Sequence, residues 1–520
     1  MVSFTHFLIL FFPLASFLIF LYKWQHLRRN HTGKRLPPSP RKIPVIGNLH
    51  QLGPLPHRSL QSLSQKHGPL MLLHFGRVPV LVATSAEAAR EIMKNQDLIF
   101  SNRPKLTIPD KLMYESRDVA FSRYGEYWRK MKSICVLQLL STKRVHSFRR
   151  VREEETSLMV DNIAKLLLLP GCNNNNNNND DDNRVVINLS DMFILLMNDV
   201  LCRVVLGRKY SGGEDDDREF KTMSHESSIL LGTFCVADYI NIPNWLGWLI
   251  TGGLYAKVDK LAKRLDRFLE SVVEEHRSKI GENTSTDFVD ILLETQRENG
   301  KDHIDDDAVK AIILDIFVAG TDTTYTVLEW AMTELLRYPN TMSKLQNEVR
   351  KVVGENKEFV TEDDLDKMHY LKAVIKESLR LHTPVPLLAP RESIKDTKVM
   401  GYDVAAGTHV LVNAWSIARD PTMWENPEEF NPDRFMNTDV DFKGQHFEYI
   451  PFGAGRRGCP GITFAMVVNE LALAKLVHRF NFDLPDNDGG ARKNDSDVAE
   501  AAGLTVRKKF PLFVVATPSL

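Results

Sequence analysis

The chain has 520 residues, 43% hydrophobic and 26% charged, which is enough apolar material for a large packed core and too much for a disordered chain. With 66 Lys and Arg against 67 Asp and Glu, the formal net charge of -1 gives no global field for nucleic acid, and none is expected as a partner. Five cysteines (Cys135, Cys172, Cys202, Cys235 and Cys459) form an odd, scattered set without a C-x-x-C pair, which argues against a disulfide framework and a structural zinc site.

Residues 1–24 read as a transmembrane signal anchor. No charged side chain interrupts Phe7 to Tyr22, and Val2 to Phe4 extend the run to about the length that crosses a ~30 Å hydrocarbon layer. A cleaved signal peptide is the competing reading, but it wants a basic residue before the apolar core and a small-x-small site after it, and neither is evident. Lys23, Arg28, Arg29, Lys34, Arg35, Arg41 and Lys42 follow, and the first acidic residue is Glu87. The positive-inside bias therefore places the bulk of the protein on the cytosolic side. Residues 25–48 form a basic, proline-rich hinge in which Leu36-Pro37-Pro38-Ser39-Pro40 and Pro44 forbid a helix and keep the chain extended. Residues 49–520 read as one large domain, since no clean linker divides them.

Along that domain, Leu70 to Gly76 and Val78 to Ser85 predict a hairpin. Trp128 and Lys132 share one helix face at i, i+4, and eight Lys and Arg lie between Arg123 and Arg150 against Glu126 alone. Asn173 to Asn179, followed by Asp180 to Asp182, is a polar insert expected as an exposed loop, as are Ser211 to Arg218 and Pro485 to Ser496. Ile240 to Ile250, with Trp245 and Trp248, is an aromatic stretch that either dips into a bilayer or packs into the core. Apolar residues at helical spacing predict helices over Glu270 to Lys279, Asp302 to Arg337, Met342 to Val353, Leu365 to Leu381 and Ile462 to Phe480. Strands are predicted over Val399 to Val404 and Thr408 to Asn413. The fold class expected is mainly α with small β-sheets.

Three motifs carry chemistry. Within the 302–337 helix, Ala319-Gly320-Thr321-Asp322-Thr323-Thr324 places residues that helices disfavour at mid-helix, where a threonine can bond the carbonyl four residues back and loosen the turn. Glu377 and Arg380 form an i, i+3 pair that on a solvated face would be worth only tenths of a kcal/mol. Phe452-Gly453-Ala454-Gly455-Arg456-Arg457-Gly458-Cys459-Pro460-Gly461 contains G-x-G-x-x-G, yet Glu448 and Pro451 interrupt any preceding strand and no βαβ unit fits in what remains. The same ten residues read F-x-x-G-x-R-x-C-x-G, with Cys459 just before an apolar helix. The helix N-terminus and neighbouring arginines favour a thiolate there.

With these motifs in this order, the sequence resembles the cytochrome P450 family of haem-thiolate monooxygenases, and Pro-Pro-Ser-Pro, Ala-Gly-Thr-Asp-Thr-Thr and the cysteine loop look most like its plant A-type microsomal branch. The resemblance implies a mainly α prism with one haem b, whose iron takes Cys459 as axial ligand. Phe452 packs beside the sulfur, Gly461 lets the helix approach the macrocycle, and Arg457 pairs with a propionate. Arg391, at the end of the loop from Thr383, serves the other propionate. Trp128 with Lys132 matches the family's Trp-x-x-x-Arg with lysine in place of arginine, which leaves Arg129 as a competing neighbour. Asp322 and Thr323 match the acid–alcohol pair that delivers protons, and Glu377, Arg380 and Arg434 the structural triad. The implied partners are O2, a small lipophilic substrate, membrane lipid and NADPH–cytochrome P450 reductase docking on the basic run. The implied place is the endoplasmic reticulum membrane. The alternative activity is a haem-thiolate dehydratase or isomerase, for example acting on an aldoxime, without net oxygen insertion.

Overall fold

The computed structural model describes residues 34–168, 185–210, 215–240, 253–279, 287–299, 304–354 and 359–485, then 498–519, with isolated positions between. Of residues 1–24, expected as an anchor, Ser16, Phe17, Ile19 and Phe20 alone are described, as helical and exposed. Residues 25–33, the Asn-rich insert with Cys172, and the aromatic stretch beyond Ile240 lie outside the described residues.

The expected hairpin forms from β1 (Leu70–Phe75) and β2 (Val78–Ala83), antiparallel around Gly76 at φ 55°. Further along are β3 (Val186–Asn188), β4 (Arg391–Glu392), β5 (Thr397–Val399), β6 (Tyr402–Val404), β7 (His409–Val412), β8 (Phe480–Asp483), β9 (Glu500–Ala501), β10 (Arg507–Lys508) and β11 (Phe513–Pro518). The largest sheet runs β1-β2-β7-β4, with β2 parallel to β7 and β4 antiparallel to it. The single strand predicted over Val399 to Val404 is instead the tight hairpin β5–β6. Met400 at φ 49° and Gly401 at φ 80° reverse the chain, as a two-residue primed turn requires.

The proline-rich segment is extended, as its composition dictates, and it is pinned to the domain. The Pro38 carbonyl accepts from the Leu72 amide at 2.9 Å, the Arg35 amide donates to Asp403 Oδ2 at 2.6 Å, and Asn48 is wholly buried.

The helices that build the site are α1 (Glu126–Ile134), α2 (Arg149–Leu168), α3 (Leu189–Val205), α4 (Asp215–Leu231), α5 (Leu254–Ser278), α6 (Phe288–Asn299), α7 (Asp306–Arg337), α8 (Pro339–Val353), α9 (His369–Leu381) and α10 (Ile462–Arg479). Helix α7, 32 residues and about 48 Å long, is the axis of the domain and packs against α3, α4, α9 and α10. It is apolar on nearly every face because it has neighbours on nearly every face. By length and composition it would cross a membrane, but 67% of its most apolar window is buried inside the domain, which makes it a core helix. Its start differs from the expected Asp302: Asp305 is the N-cap, its side chain accepting the Ala308 amide, with Asp306 and Asp307 in the first turn.

Two other boundaries move for physical reasons. The helix expected from Leu365 breaks at Met368, and α9 starts where Glu348 of α8 accepts the amides of Tyr370 and Leu371 at 2.8 and 2.9 Å, replacing the intrahelical partners those groups lack. The loop expected over Ser211 to Arg218 is shorter, since α4 begins at Asp215. Asn188, which opens a glycosylation sequon, caps α3 through the Asp191 amide.

Candidate active site

The cysteine loop is shaped by two left-handed glycines, Gly453 at φ 68° and Gly455 at φ 69°. A Cβ on Gly455 would fall 2.3 Å from the Met93 carbonyl oxygen and 2.5 Å from Asp97 Oδ1, so only glycine fits there. The Cys459 amide donates to the Phe452 carbonyl at 3.0 Å, and the Gly461 amide donates to Cys459 Sγ at 3.3 Å as α10 opens. The sulfur is exposed not to bulk solvent but to an internal cavity of about 290 Å³. Burial pushes the thiol up, while the Gly461 amide and the Lys132 ammonium pull it down. A bound metal cation would decide the balance in favour of the thiolate. Phe452, on the same cavity wall, is held edge-to-face by Phe442 at 5.4 Å. No strand precedes the loop, so the dinucleotide reading has no structural footing.

Helix α7 forms a second wall through Ala319, Gly320, Thr323 and Thr324. A Cβ on Gly320 would press on Leu201 of α3 at 3.1 Å, so the small residue serves the packing of α3 as well as the width of the cavity. Thr323 Oγ donates to the Ala319 carbonyl at 2.7 Å, the back-bond anticipated from sequence. Asp322 turns the other way. It is buried outside the cavity wall and accepts a hydrogen bond from Ser228 Oγ of α4. Burial raises its carboxyl above the usual range, against the Ser228 hydroxyl and the charges of His225 and Arg507.

The third feature is a rim of buried and half-buried cations. Arg457 donates to the carbonyls of Ser101, Val119 and Ser122 at 2.8, 3.2 and 2.7 Å, with its guanidinium 4.1 Å from the Trp128 ring centre. Trp128 spends its indole N–H on the Val119 carbonyl, so it braces Arg457. Arg391 on β4 donates to the Ala454 carbonyl at 2.9 Å and faces Asp97 at 3.3 Å. Lys132 reaches the Gly458 carbonyl at 2.7 Å and lines the cavity, whereas Arg129 is exposed over Tyr124.

Arg103 completes the rim and was not singled out from sequence as a cofactor residue. It is 5% exposed and donates to the Ala120, Ala389 and Pro390 carbonyls at 2.7, 2.6 and 2.7 Å. Burial, then the charges of Arg457 and Arg391, hold its pKa well below the usual arginine range; burial, then Arg391, bring Arg457 down to about 9. Among the described residues, only Arg391 of these four cations forms an ion pair. Buried cations at such density are costly unless an anion joins them, so the site fits a flat ligand with acidic groups at its edge and a metal above Cys459.

Arg103, Val119, Ala120, Val385, Leu388 and Ala389 also line the cavity. Phe317 is wholly buried in the core, and Gly503 with Leu504 packs on Gly232, where a Cβ would fall 2.1 Å from the Leu504 nitrogen. The triad is built as the motif implies. Glu377 and Arg380, both fully buried, pair at 2.7 and 2.8 Å, and Arg434 adds a bond to Glu377 at 3.3 Å.

The fold and cavity define a haem-thiolate oxidoreductase. The family model of cytochrome P450 matches residues 37–508. The (+)-menthofuran synthase of Mentha piperita is 51% identical over 515 residues, 98% of this chain and 99% of that protein. The psoralen synthase of Ammi majus is 49% identical over 509 residues, 98% and 97% of the two chains. A zebra fish cytochrome P450 solved with abiraterone superposes with a TM-score of 0.73 at 24% identity, over 90% of this chain and all of that one. The chain belongs to the cytochrome P450 family. Its cofactor is a haem-thiolate and its activity that of a monooxygenase.

Proposed function

We propose that this chain hydroxylates or otherwise oxidises a small lipophilic molecule of plant specialised metabolism, using O2 and electrons from NADPH–cytochrome P450 reductase. The observation that carries this reading is a cavity whose walls hold the Cys459 sulfur, the Thr323 hydroxyl and four cations, two buried and two half-buried, amid apolar side chains. Haem b, when bound through Cys459, supplies dioxygen activation and the oxidising power for a C–H bond. In this reading Arg103, Arg391, Arg457 and Lys132 hold the propionates and Trp128 braces Arg457. Phe452 and Gly461 shield the sulfur, and the Gly461 amide tempers its basicity. Asp322, kept toward its protonated form by burial, supplies protons, and Thr323 passes them into the cavity.

The segment 1–24 and the basic residues after it support attachment to the endoplasmic reticulum membrane with the domain in the cytosol. The reductase face in this reading is narrower than the basic run. Arg123, Arg149 and Arg150 are engaged by Glu392, by Glu153 and Asp363, and by Glu154. Lys132 faces the cavity, and Arg129, Lys130, Lys143 and Arg144 form no ion pair among the described residues.

The first test is the reduced carbon monoxide difference spectrum of the membrane-expressed protein beside Cys459→Ser. A strongly red-shifted Soret band lost in the variant is the expected result; a band retained in the variant overturns the ligation. Screening monoterpenoids and coumarins with reductase then reads oxygen consumed per product. One O2 per product is expected, and turnover without oxygen consumption would establish the dehydratase or isomerase instead.

A further inference from the structure

We infer that Ser228 and His225 of α4, with Arg507 of β10, form the solvent-side entry through which Asp322 regains its proton. The inference rests on the proton-delivery role proposed above for Asp322 and Thr323. Thr323 lines the cavity, but its neighbour Asp322 does not, so the acid must be recharged from another direction. That direction is α4. Ser228 Oγ donates to Asp322 Oδ2, and both side chains are buried, at 5% and 9% exposure.

The adjacent Ser227 spends its hydroxyl on the Met223 carbonyl of its own helix at 2.7 Å, the common fate of a mid-helix serine, whereas Ser228 is aimed at the acid. One turn before Ser228, His225 is exposed to solvent. Arg507 Nη1 lies 3.4 Å from both ring nitrogens of His225, and Arg507 also bonds Tyr325, three residues beyond Asp322 on α7. Ser228 thus bonds the buried carboxyl directly, while His225 and Arg507 bring charge toward it from the surface side, on the face turned away from the cavity.

A hydroxyl suits this position because it donates and accepts at once. Ser228 Oγ takes up one proton from protonated solvent entering beside His225 as it releases its own to Asp322 Oδ2, then rotates back. One proton crosses per event and no electrons move. Alanine would break the route, and threonine would keep it.

The test uses the full-length, haem-loaded protein reconstituted with reductase, each variant first shown to give the red-shifted carbon monoxide band. Ser228→Ala is expected to slow NADPH-driven oxygen consumption about ten-fold and to enlarge its solvent deuterium isotope effect. Ser228→Thr should restore both, and Ser227→Ala should change neither. His225→Ala should lower the rate in the same direction. Independently of turnover, the carboxyl stretch assigned to Asp322 by its loss in Asp322→Asn, read in infrared difference spectra of the carbon monoxide complex, is expected to shift in Ser228→Ala. A wild-type rate and isotope effect in Ser228→Ala, with both altered in Asp322→Asn, would overturn the entry while leaving the acid in place. Unchanged values in Asp322→Asn would overturn the reading on which it rests.

Discussion

Two groups of arginines in this protein are largely withdrawn from solvent and differ in balance. Arg380 meets Glu377 through two hydrogen bonds and gives its remaining donors to the carbonyls of Ala418, Pro427 and Glu429 at 2.8, 2.7 and 3.0 Å. Glu377 in turn accepts the Asn431 amide and Arg434. Charge and hydrogen bonds close within the protein. Around the cavity, Arg103, Arg391 and Arg457 find enough carbonyls for their hydrogen bonds but only Asp97 as an ion-paired acid, and the Arg391 charge depresses both of the others. Hydrogen bonding alone therefore does not separate a structural arginine from one awaiting a ligand; charge balance does.

The contrast predicts opposite responses to mutation. Glu377→Ala strands Arg380 in the core and should cost about 3–5 kcal/mol, seen as loss of folded, haem-loaded protein on expression. Arg103→Met removes a charge that the haem-free protein holds at a loss, so the apoprotein should melt no lower than wild type while haem loss accelerates about ten-fold, measured by transfer to apomyoglobin. Melting several degrees lower in the apoprotein would place Arg103 with the structural group. Lys132→Arg offers a planar fork in place of a point charge and should slow haem loss by about two-fold.

The smallest effect concerns a balanced cluster far from the cavity. Burial alone would raise the Glu500 carboxyl, but hydrogen bonds from His57 and Arg58 bring it down to about 2. Because the folded value lies below the unfolded one, its contribution is complete above about pH 5 and lost as the pH falls toward 2. Glu500→Gln should flatten that part of the acid-unfolding curve.

What could be read from sequence follows how locally each feature is encoded. The cysteine loop was legible because a tight turn, a ligand and a helix start must follow one another within ten residues. The Ala319 to Thr324 segment stood out because it breaks helix preference in the middle of a helix. Arg103 was hidden because its role comes from Arg391 and Arg457, nearly three hundred residues or more away, and Ser228 because its partner is on another helix. The same limit explains the helix boundaries. The start of α9 is set by Glu348 of α8, a signal absent from the segment 365–381 itself. The turn at Met400 and Gly401 was overlooked because the apolar run continues through it.

The pinned proline segment has a consequence for handling the protein. β1 is the outer strand of the largest sheet, and an open edge invites pairing with another chain. Pro38 covers Leu72, and Asn48 engages both the carbonyl and the amide of His74 at 2.6 and 2.8 Å. Since the prolines carry no N–H, the covering segment cannot extend the ladder outward. It works as a sheath against aggregation, so a truncation of the apolar N-terminal segment should stop before residue 34 and leave that sheath in place.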